Sequence, residues 1–574
     1  MSSFRSYFSD ERIIRELCKA RVKLAAKRHD ALFLCRISRD AQERAASSIS
    51  PVLQSIFPSR RQWHSFRPSR RPNPPSQNLV LHALVRAVLT LRKRQPQVAW
   101  AQELQKKIEQ IRERVFEGTT FSFQPPRIHA ALKDKKAHEY RPIAVFELED
   151  RIIDSLTARY FRDNLDHALH DSCVAFRTGR DGTPPPTIHD VANQILAMNR
   201  RHRSKGIYVA ECDIRGFFDC VAHPVALSSL SELIADAKRK QPSLAIEPRA
   251  IDVFNAYLRV YSFSVNVAGE ATTALRRRDI NGAFKWHEKE LQLLHKTTSL
   301  PPIGVPQGGA LSCLIANAVL HKADKELNRL KRRIRKSFRY LRYCDDMILL
   351  AQDQAVCNQA YDLYQSTLSD LKLPAHPPKS INHYSKTFWS GKSHLPYKWC
   401  RPSIPSHVPW IQFVGYQIRH DGTIRIRLKS LKKQFKKMTS LADSLLGTLN
   451  PDRSRPGEIT PFARGIRKNG RQILYRLRQR LNSQAVGRRE LSQSLSEPLP
   501  LCWASGFRGL LDKKIVLTHF KALDRHRERQ LKRVAKRLAS LPAIQQTKTG
   551  ELAEALPYYG FPFSYFGQFK NRAK

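Results

Sequence analysis

Two adjacent carboxylates are the residues of this sequence best suited to chemistry. Asp345 and Asp346 stand between the apolar, strand-prone stretches FRYLRYC and MILLA, a pattern typical of a β-hairpin with the acidic pair at its turn. Neighbouring carboxylates repel each other unless a cation offsets their charge, and Mg²⁺ is a hard ion that prefers carboxylate and phosphate oxygens. An ordinary Asp-Asp turn would give the same pattern, so the pair alone leaves both interpretations open.

A third carboxylate, Asp213, follows the strand-prone run 207–210 in the sequence IYVAECDIRGFFDC. An aspartate at the end of a strand can share metal ions with a distant hairpin if the two strands are neighbours. Taken alone, Asp213 is explained more simply as a turn residue, with Phe217 and Phe218 in the core.

A Pro-Gln-Gly-Gly loop at 306–309 opens a helical pattern of apolar residues. Glycine lets a backbone approach a base pair or sugar closely, and a helix start can bind phosphates. A plain helix cap explains the loop equally well. Carboxylate, glycine loop and Asp pair in this order fit two-metal phosphoryl transfer, in which one metal activates a 3′-hydroxyl and the other holds the triphosphate and the leaving pyrophosphate.

The charge balance points to a polyanionic partner. The 574 residues include 100 Lys and Arg against 50 Asp and Glu, a formal net charge of +50. Binding of phosphates releases counterions, so this excess favours a nucleic-acid binder over a generally basic protein. No clear basic amphipathic helix, lipid site or long apolar run is present, so no membrane association is expected. Ten cysteines without a C-x-x-C pair argue against a zinc site and fit reduced thiols in a cytoplasmic protein.

The segments DIRGFFD, GVPQGGALS and YCDD together resemble the reverse transcriptase family, most closely its bacterial branch of group II intron, retron and defence-associated enzymes. The resemblance covers about 121–428. It implies an α+β right-hand polymerase with fingers, palm and thumb, here with helical extensions at both ends. It further implies that Asp213, Asp345 and Asp346 are the catalytic residues and hold two Mg²⁺ ions, with Mn²⁺ as a substitute.

The resemblance also implies a nucleotide site. Phe218 matches the aromatic residue that blocks a ribose 2′-hydroxyl, which indicates dNTP selection, and Gln307 matches the loop residue beside the incoming nucleotide. Arg141 and Lys136 match cations near the triphosphate, and Lys379 matches a lysine that can protonate pyrophosphate. The expected dNTP-binding residues are Arg141, Lys136, Phe218, Gln307, Gly308 and Lys379.

Nucleic-acid contacts are expected on three further segments and at Tyr343 of the YCDD motif. SCVAFRTGR precedes the first palm motif, FVGYQIRHDG resembles a primer-grip hairpin, and LKKQFKK begins the basic helices that suit a thumb. The residues expected to touch nucleic acid or to support the fingers are Arg177, Tyr343, Phe413, Gly415, Lys432 and Lys433.

The sequence predicts five regions. They are a basic helical N-terminal extension at 1–120 with a Pro/Arg linker near 57–78, fingers and the first palm part at 121–230, a helical insertion at 231–300, palm at 301–427, and a basic helical thumb with a C-terminal extension at 428–574. The insertion receives no function from its sequence.

The expected function is RNA-directed DNA synthesis from dNTPs. The expected partners are an RNA template, which a dedicated noncoding RNA could supply, the DNA product, and a second copy or a partner protein. Family analogy suggests a bacterial, cytoplasmic enzyme in anti-phage defence. Two alternatives stay open: an RNA-binding maturase or splicing cofactor with secondary polymerase activity, and an RNA-dependent RNA polymerase.

Overall fold

The computed structural model describes most of the chain with gaps. The described residues are 3–35, 52–66, 79–134, 138–179, 185–202, 204–268, 283–334, 337–385, 388, 391–448, 474, 475, 477, 478, 480–482, 507, 510 and 514–540. They group into two compact units. The first unit takes in 1–17, 105–414 and 418–423, and the second takes in 18–104, 415–417 and 424–574.

Helices make up most of the described structure. They are α1 (Asp10–Cys35), α2 (Val52–Ser55), α3 (Arg60–His64), α4 (Leu79–Arg94), α5 (Ala99–Phe116), α6 (Leu148–Leu165), α7 (Ile188–His202), α8 (Phe217–Cys220), α9 (His223–Lys240), α10 (Pro248–Arg259), α11 (Glu288–His295), α12 (Ala310–Arg333), α13 (Gln354–Asp370), α14 (Leu428–Thr448) and α15 (Lys514–Ala539). Short 3₁₀ turns lie at Phe4–Phe8 and Asp166–Ala168, and a π turn lies at Ser264–Ala268.

The strands form three sheets. They are β1 (Arg127–Asp134), β2 (Glu139–Val145), β3 (Ile207–Cys212), β4 (Ala283–Phe284), β5 (Phe338–Tyr343), β6 (Asp346–Ala351), β7 (Pro378–Lys379), β8 (Ser393–Trp399), β9 (Trp410–Phe413), β10 (Tyr416–Arg419) and β11 (Ile424–Ile426). The sheet orders are β1-β2-β4, β5-β6-β3-β8-β7 and β11-β10-β9.

The five-stranded sheet is the frame of the first unit. Its central strands β3 and β6 are antiparallel and mostly buried, and α13 packs on them. The long helix α12 packs in turn against α13, α9 and α6. Strands buried on both faces are rich in Val, Ile and Leu, which explains the unbroken apolar run MILLA in β6.

Strand register brings the ends of three strands together. Cys212 lies opposite Met347 in the β3–β6 pair, and Tyr343 lies opposite Asp346 in the β5–β6 pair. Asp213, which follows Cys212 directly, therefore emerges at the same edge of the sheet as the β5–β6 turn.

The described parts of the segment 231–300, which are 231–268 and 283–300, belong to the first unit instead of forming a unit of their own. Its helices α9 and α10 pack on α6, and its strand β4 extends the β1–β2 hairpin by parallel pairing with β2. A strand of two residues carries too little alternation to be recognised in a sequence.

The second unit contains the basic C-terminal helices. α14 and α15 pack side by side through apolar residues such as Leu431, Met438, Phe520 and Leu531. The predicted linker near 57–78 also differs from expectation, because α3 begins inside it. The Ser59 side chain accepts the Gln62 N–H while the Gln62 side chain accepts the Ser59 N–H, a capping box that starts a helix despite the surrounding Pro and Arg.

Within the described ranges, none of the helices combines the length and the apolar character that crossing a membrane requires.

Candidate active site

The β5–β6 turn presents the acidic pair on a strained backbone. Because Tyr343 pairs with Asp346, Cys344 and Asp345 form a two-residue loop. Cys344 has φ of 61°, in the left-handed region that favours glycine. A side chain held there needs support from the surrounding structure.

Arg342 provides that support. Its Nη1 donates to the carbonyl oxygen of Cys344 at 2.9 Å, and its Nε and Nη2 donate to the two carboxylate oxygens of Asp324 at 2.9 and 2.5 Å. Both side chains are fully buried. Burial lowers the pKa of the Arg342 guanidinium, but the Asp324 carboxylate outweighs it and raises that pKa well above its usual value.

Arg342 and Asp324 were not among the predicted site residues. One feature of the sequence could have indicated this pair: Arg342 lies within an apolar strand, and Asp324 lies on the inward face of α12. Such residues are almost never fully buried unless they are paired.

Asp213 is held through its backbone and its carboxylate. Its N–H donates to Ser393 Oγ at 3.0 Å, and its carbonyl accepts the His376 N–H at 2.9 Å. Lys392 Nζ donates to Asp213 Oδ2 at 3.0 Å, and the Lys392 side chain is 63% exposed. An exposed ammonium on a long stem can leave this carboxylate when another cation arrives.

The pKa of Asp345 depends on burial and on neighbouring charges. Burial raises the pKa of the Asp345 carboxyl, the Asp213 carboxylate raises it further, and the Arg141 guanidinium opposes the shift. The exposed Asp346 begins β6 beside it. These carboxylates therefore gather at one edge of the sheet, with Arg141 of the β1–β2 hairpin nearby.

The residues described contain no cluster of three or more His, Cys, Asp or Glu side chains already arranged around a metal. The donor set nevertheless fits hard divalent ions, because these ions prefer carboxylate oxygens and a cation would offset both the burial and the Asp213 charge that raise the Asp345 pKa. Lys392 at Asp213 Oδ2 already marks one position where positive charge is favoured.

The Pro-Gln-Gly-Gly loop is bound to the fingers hairpin. The Gln307 carbonyl accepts the Ala144 N–H at 2.9 Å. Gly308 has φ of 118°, and a Cβ there would lie 3.2 Å from the Ala144 carbonyl oxygen, so glycine permits the close approach. The Gln307 Nε2 donates to Asp219 Oδ1 at 2.6 Å.

The start of α12 is capped from another helix. Gly309 has no side chain to serve as a cap, and the buried carboxylate of Asp154 on α6 accepts the N–H groups of Ala310 and Leu311 at 2.6 and 2.8 Å. Burial raises the pKa of Asp154 to about 6, against the lowering effect of these hydrogen bonds. The glycine loop is thus fixed at both ends.

Gly309→Ala is expected to disturb this loop. The added Cβ would lie 1.8 Å from the Tyr257 hydroxyl oxygen, so the loop or the ring must move. Overpacking of this kind typically destabilises a protein by about 1–3 kcal/mol. A lower denaturation midpoint is expected for Gly309→Ala, and Gly309→Ala/Tyr257→Phe should recover part of it. An unchanged midpoint would mean that Tyr257 swings aside freely.

Several predicted residues lie near the carboxylates. Phe218 is half-buried, and its carbonyl accepts the Val305 N–H at 2.8 Å, which joins it to the glycine loop. Arg141 is exposed on β2, and Tyr343 is half-buried at the end of β5. Lys136 lies outside the described residues.

Two expected nucleic-acid contacts are corrected by burial. Arg177 is 8% exposed, and its guanidinium donates to Asp166 and to the carbonyls of His170 and Cys173, so it supports the fingers from inside. Phe413 is 6% exposed and belongs to the core. Because both side chains are buried, neither presents a surface to nucleic acid. Residue type and motif position do not reveal this burial.

The remaining predicted residues are accessible. Lys379 is exposed on β7, where it pairs with His394, and Lys392 is the lysine that contacts Asp213. Gly415 has φ of 91° in the loop after β9. Lys432 and Lys433 are exposed on α14.

The segment after β4 reaches the loop that follows Asp213. Trp286 stacks on Phe263 with ring centroids 4.6 Å apart. Glu290 on α11 accepts a hydrogen bond from Arg215 Nη1 at 2.5 Å. The predicted insertion therefore joins the β1–β2–β4 sheet to the residues beside Asp213.

A family model described as reverse transcriptase (RNA-dependent DNA polymerase) matches residues 132–418, half of the chain. This match covers Asp213, the glycine loop and the Asp345–Asp346 turn. It confirms the predicted α+β right-hand polymerase fold. None of the curated proteins matches the sequence.

Solved structures with a similar course of the chain include telomerases. Apo telomerase from Candida tropicalis is 13% identical, with 72% of this chain and 64% of that chain covered and a TM-score of 0.34. Telomerase from Candida albicans with a TWJ fragment of telomeric RNA is 13% identical, with 77% and 66% covered and a TM-score of 0.30. This chain thus spans just under two thirds of the length of these telomerase chains, and likeness at this level carries no functional argument.

Proposed function

Because this chain belongs to the reverse transcriptase family of RNA-directed DNA polymerases, we propose that it extends a 3′-hydroxyl with dNTPs on an RNA template. One observation carries the proposal. The register of β3, β5 and β6 brings Asp213, Asp345 and Asp346 to one edge of a sheet, in the part of the chain that the family model matches.

Asp213, Asp345 and Asp346 would hold two divalent ions, Mg²⁺ or, as a substitute, Mn²⁺. When bound, such ions activate the 3′-hydroxyl and neutralise charge on the triphosphate and the leaving pyrophosphate. The pKa of Asp345, raised first by burial and further by the Asp213 carboxylate, supports this assignment, because a bound cation would stabilise the ionised form against both effects.

The chain itself supplies the positioning on which phosphoryl transfer depends. Arg141 is exposed and close enough to Asp345 to lower its pKa, so its guanidinium suits the triphosphate. Gln307 and Gly308 lie on a loop fixed to β2, and Phe218 joins the same loop through its carbonyl. These residues would bind the nucleotide, with the Phe218 ring against the C2′ position. Lys392 or Lys379 would donate a proton to pyrophosphate.

Template and product binding is proposed for the basic surfaces. The net charge of +50 supports it, as do the exposed Lys432 and Lys433 on α14. Tyr343 and the backbone of Gly415 are proposed as further contacts with the nucleic acid.

The biological setting is proposed from the resemblance to the bacterial branch. We place the enzyme in a bacterial cytoplasm, where reduced thiols are expected, and the eight cysteines with described side chains form no disulfide with one another. A role in anti-phage defence, a dedicated noncoding RNA template and assembly with a second copy or a partner protein extend the same proposal.

The test compares the wild type with Asp345→Ala/Asp346→Ala. Incorporation of dNTPs is measured with Mg²⁺ on a primed RNA template, and nucleic acid that co-purifies with each protein is sequenced. DNA made only by the wild type supports the proposal, and its sequence identifies the natural template. Equal RNA binding by both proteins with no DNA from either overturns it in favour of an RNA-binding maturase.

Phe218 distinguishes DNA synthesis from RNA synthesis. Ribonucleotide users need room for the 2′-hydroxyl, so Phe218→Ala is expected to relax discrimination against rNTPs by roughly tenfold or more, which corresponds to at least about 1.4 kcal/mol. The ratio of kcat/KM for dGTP and GTP measures this. Phe217→Leu is the matched control, because Phe217 is buried beside it. A wild type that prefers GTP would support the RNA polymerase alternative.

A further inference from the structure

Asp219 lies six residues after Asp213 and has no role in the function described so far. It belongs to the short helix α8, where its N–H donates to the Gly216 carbonyl at 2.8 Å. Its side chain is partly buried and accepts the Gln307 Nε2 at 2.6 Å. This hydrogen bond joins two motifs that are 88 residues apart.

The hydrogen bond determines which way the Gln307 side chain faces. An amide group has a donating NH₂ and an accepting oxygen, and an ionised carboxylate accepts only. In its ionised form, which the hydrogen bond from Gln307 favours against the effect of burial, Asp219 takes the NH₂ end and turns Oε1 of Gln307 away from itself. Without this partner, the two ends of the amide could exchange.

The Gln307 backbone is fixed independently. Its carbonyl accepts the Ala144 N–H, and Gly308 packs on the Ala144 carbonyl. Asp219 therefore acts on the side chain of a residue whose main chain is already held. Loss of the Asp219 carboxylate should change amide orientation without moving the loop.

Charges on the fingers hairpin also face Asp219. Burial raises the pKa of Asp219 to about 7, while Lys133 and Arg141 lower it and Glu139 raises it. Arg141 also lowers the pKa of Asp345, so one guanidinium lies near both carboxylates.

We propose that Asp219 is a positioning residue for the incoming nucleotide, which holds the Gln307 amide with its oxygen toward the nucleotide. The inference rests on the proposed function, because it assumes that a nucleotide binds beside Gln307. It predicts an effect on nucleotide KM more than on kcat.

The test uses Asp219→Leu, Asp219→Asn, Gln307→Leu and Asp219→Leu/Gln307→Leu in the full chain. Hydrogen bonds to charged groups contribute enough to make a loss of roughly 10- to 100-fold in nucleotide affinity the expected size. Asp219→Leu should raise the KM for dGTP by that factor with a much smaller change in kcat. Asp219→Asn keeps an oxygen that can accept from Gln307 and should recover most of the loss.

The double variant separates positioning from a general effect. If Asp219 acts through Gln307, Asp219→Leu/Gln307→Leu should be little worse than Gln307→Leu. Asp370→Leu is the matched control, because Asp370 is exposed on α13 and pairs with Lys322. Wild-type KM in Asp219→Leu, fully additive losses, or equal losses in Asp219→Asn would each overturn the inference.

Direct binding distinguishes this inference from the proposed function. Affinity for dGTP is measured by fluorescence titration, without any incorporation step. If the wild type binds dGTP but incorporates none, the proposed function fails, and weaker binding by Asp219→Leu still supports the inference. If Asp219→Leu does not fold, the test uses Asp219→Asn and Gln307→Leu instead. Near-wild-type dGTP affinity in Asp219→Asn together with weakened affinity in Gln307→Leu supports the inference. Any other pair of results contradicts the inference.

Discussion

Asp213→Asn is expected to lower kcat for dNTP incorporation by roughly 1,000-fold. Metal-assisted stabilisation of transition-state charge contributes several kcal/mol, and about 1.4 kcal/mol corresponds to a factor of ten in rate. Asparagine keeps the shape of the side chain but removes the charge that faces Asp345. Single-turnover incorporation with saturating dGTP and a Mg²⁺ titration measure the effect.

The same substitution should leave the fold and RNA affinity unchanged. The Asp213 backbone is held by hydrogen bonds to Ser393 Oγ and from the His376 N–H, and neither of these bonds involves its carboxylate. Removal of one carboxylate also relieves Asp345, so its pKa is expected to fall in the absence of metal. Asp370→Asn removes the same charge at an exposed residue that pairs with Lys322 and has no part in the proposed site. Comparable losses in both variants would mean that Asp213 acts only through net charge.

The placement of the carboxylates could be predicted because strand pattern and register determine it. An apolar run on either side of YCDD predicts a hairpin, and the run before Asp213 predicts a strand. The family resemblance then predicts that the strand before Asp213 and the strand after YCDD are neighbours in one sheet. Strand pattern and register can be predicted without knowledge of side-chain contacts, whereas the roles of the three carboxylates stay predictions.

The lysine beside Asp213 could not be predicted in the same way. The place of Lys379 after a palm helix predicts a proton donor to pyrophosphate, and no pattern in the sequence indicates that Lys392 contacts Asp213. Lys392 directly precedes β8, which pairs with β3 through an irregular register between Val209 and Glu211. A shift of register in a sheet cannot be derived from one sequence, although it decides which neighbouring side chain reaches the site.

The burial of charged residues is the second feature that the sequence does not predict. Arg177 and Arg342 are both arginines beside predicted motifs, yet both are buried and bond to protein groups. The partner of Arg342 is Asp324, which lies 18 residues away on a helix, and the partner of Arg177 is Asp166, 11 residues away. A sequence shows the charges but not that they meet.

Arg342→Met is expected to destabilise the first unit strongly. It leaves the Asp324 carboxylate buried without its cation, and breaking a buried pair in this way typically costs about 3–5 kcal/mol. The Cys344 carbonyl also loses its donor, so the acidic turn loses its support. A large fall in the denaturation midpoint is therefore expected, together with a loss of dNTP incorporation by the folded fraction.

The variant Arg342→Met/Asp324→Leu separates these two effects. Replacement of a buried ion pair by apolar side chains is often neutral for stability, so the double variant should recover much of the midpoint. Recovery will be incomplete because the Tyr340 hydroxyl also donates to Asp324 at 3.0 Å. Incorporation should stay low, since the left-handed backbone of Cys344 is still without its hydrogen bond. If kcat recovered together with the denaturation midpoint, Arg342 would contribute only to the stability of the fold. The turn at Cys344 would then position Asp345 without the hydrogen bond from Arg342.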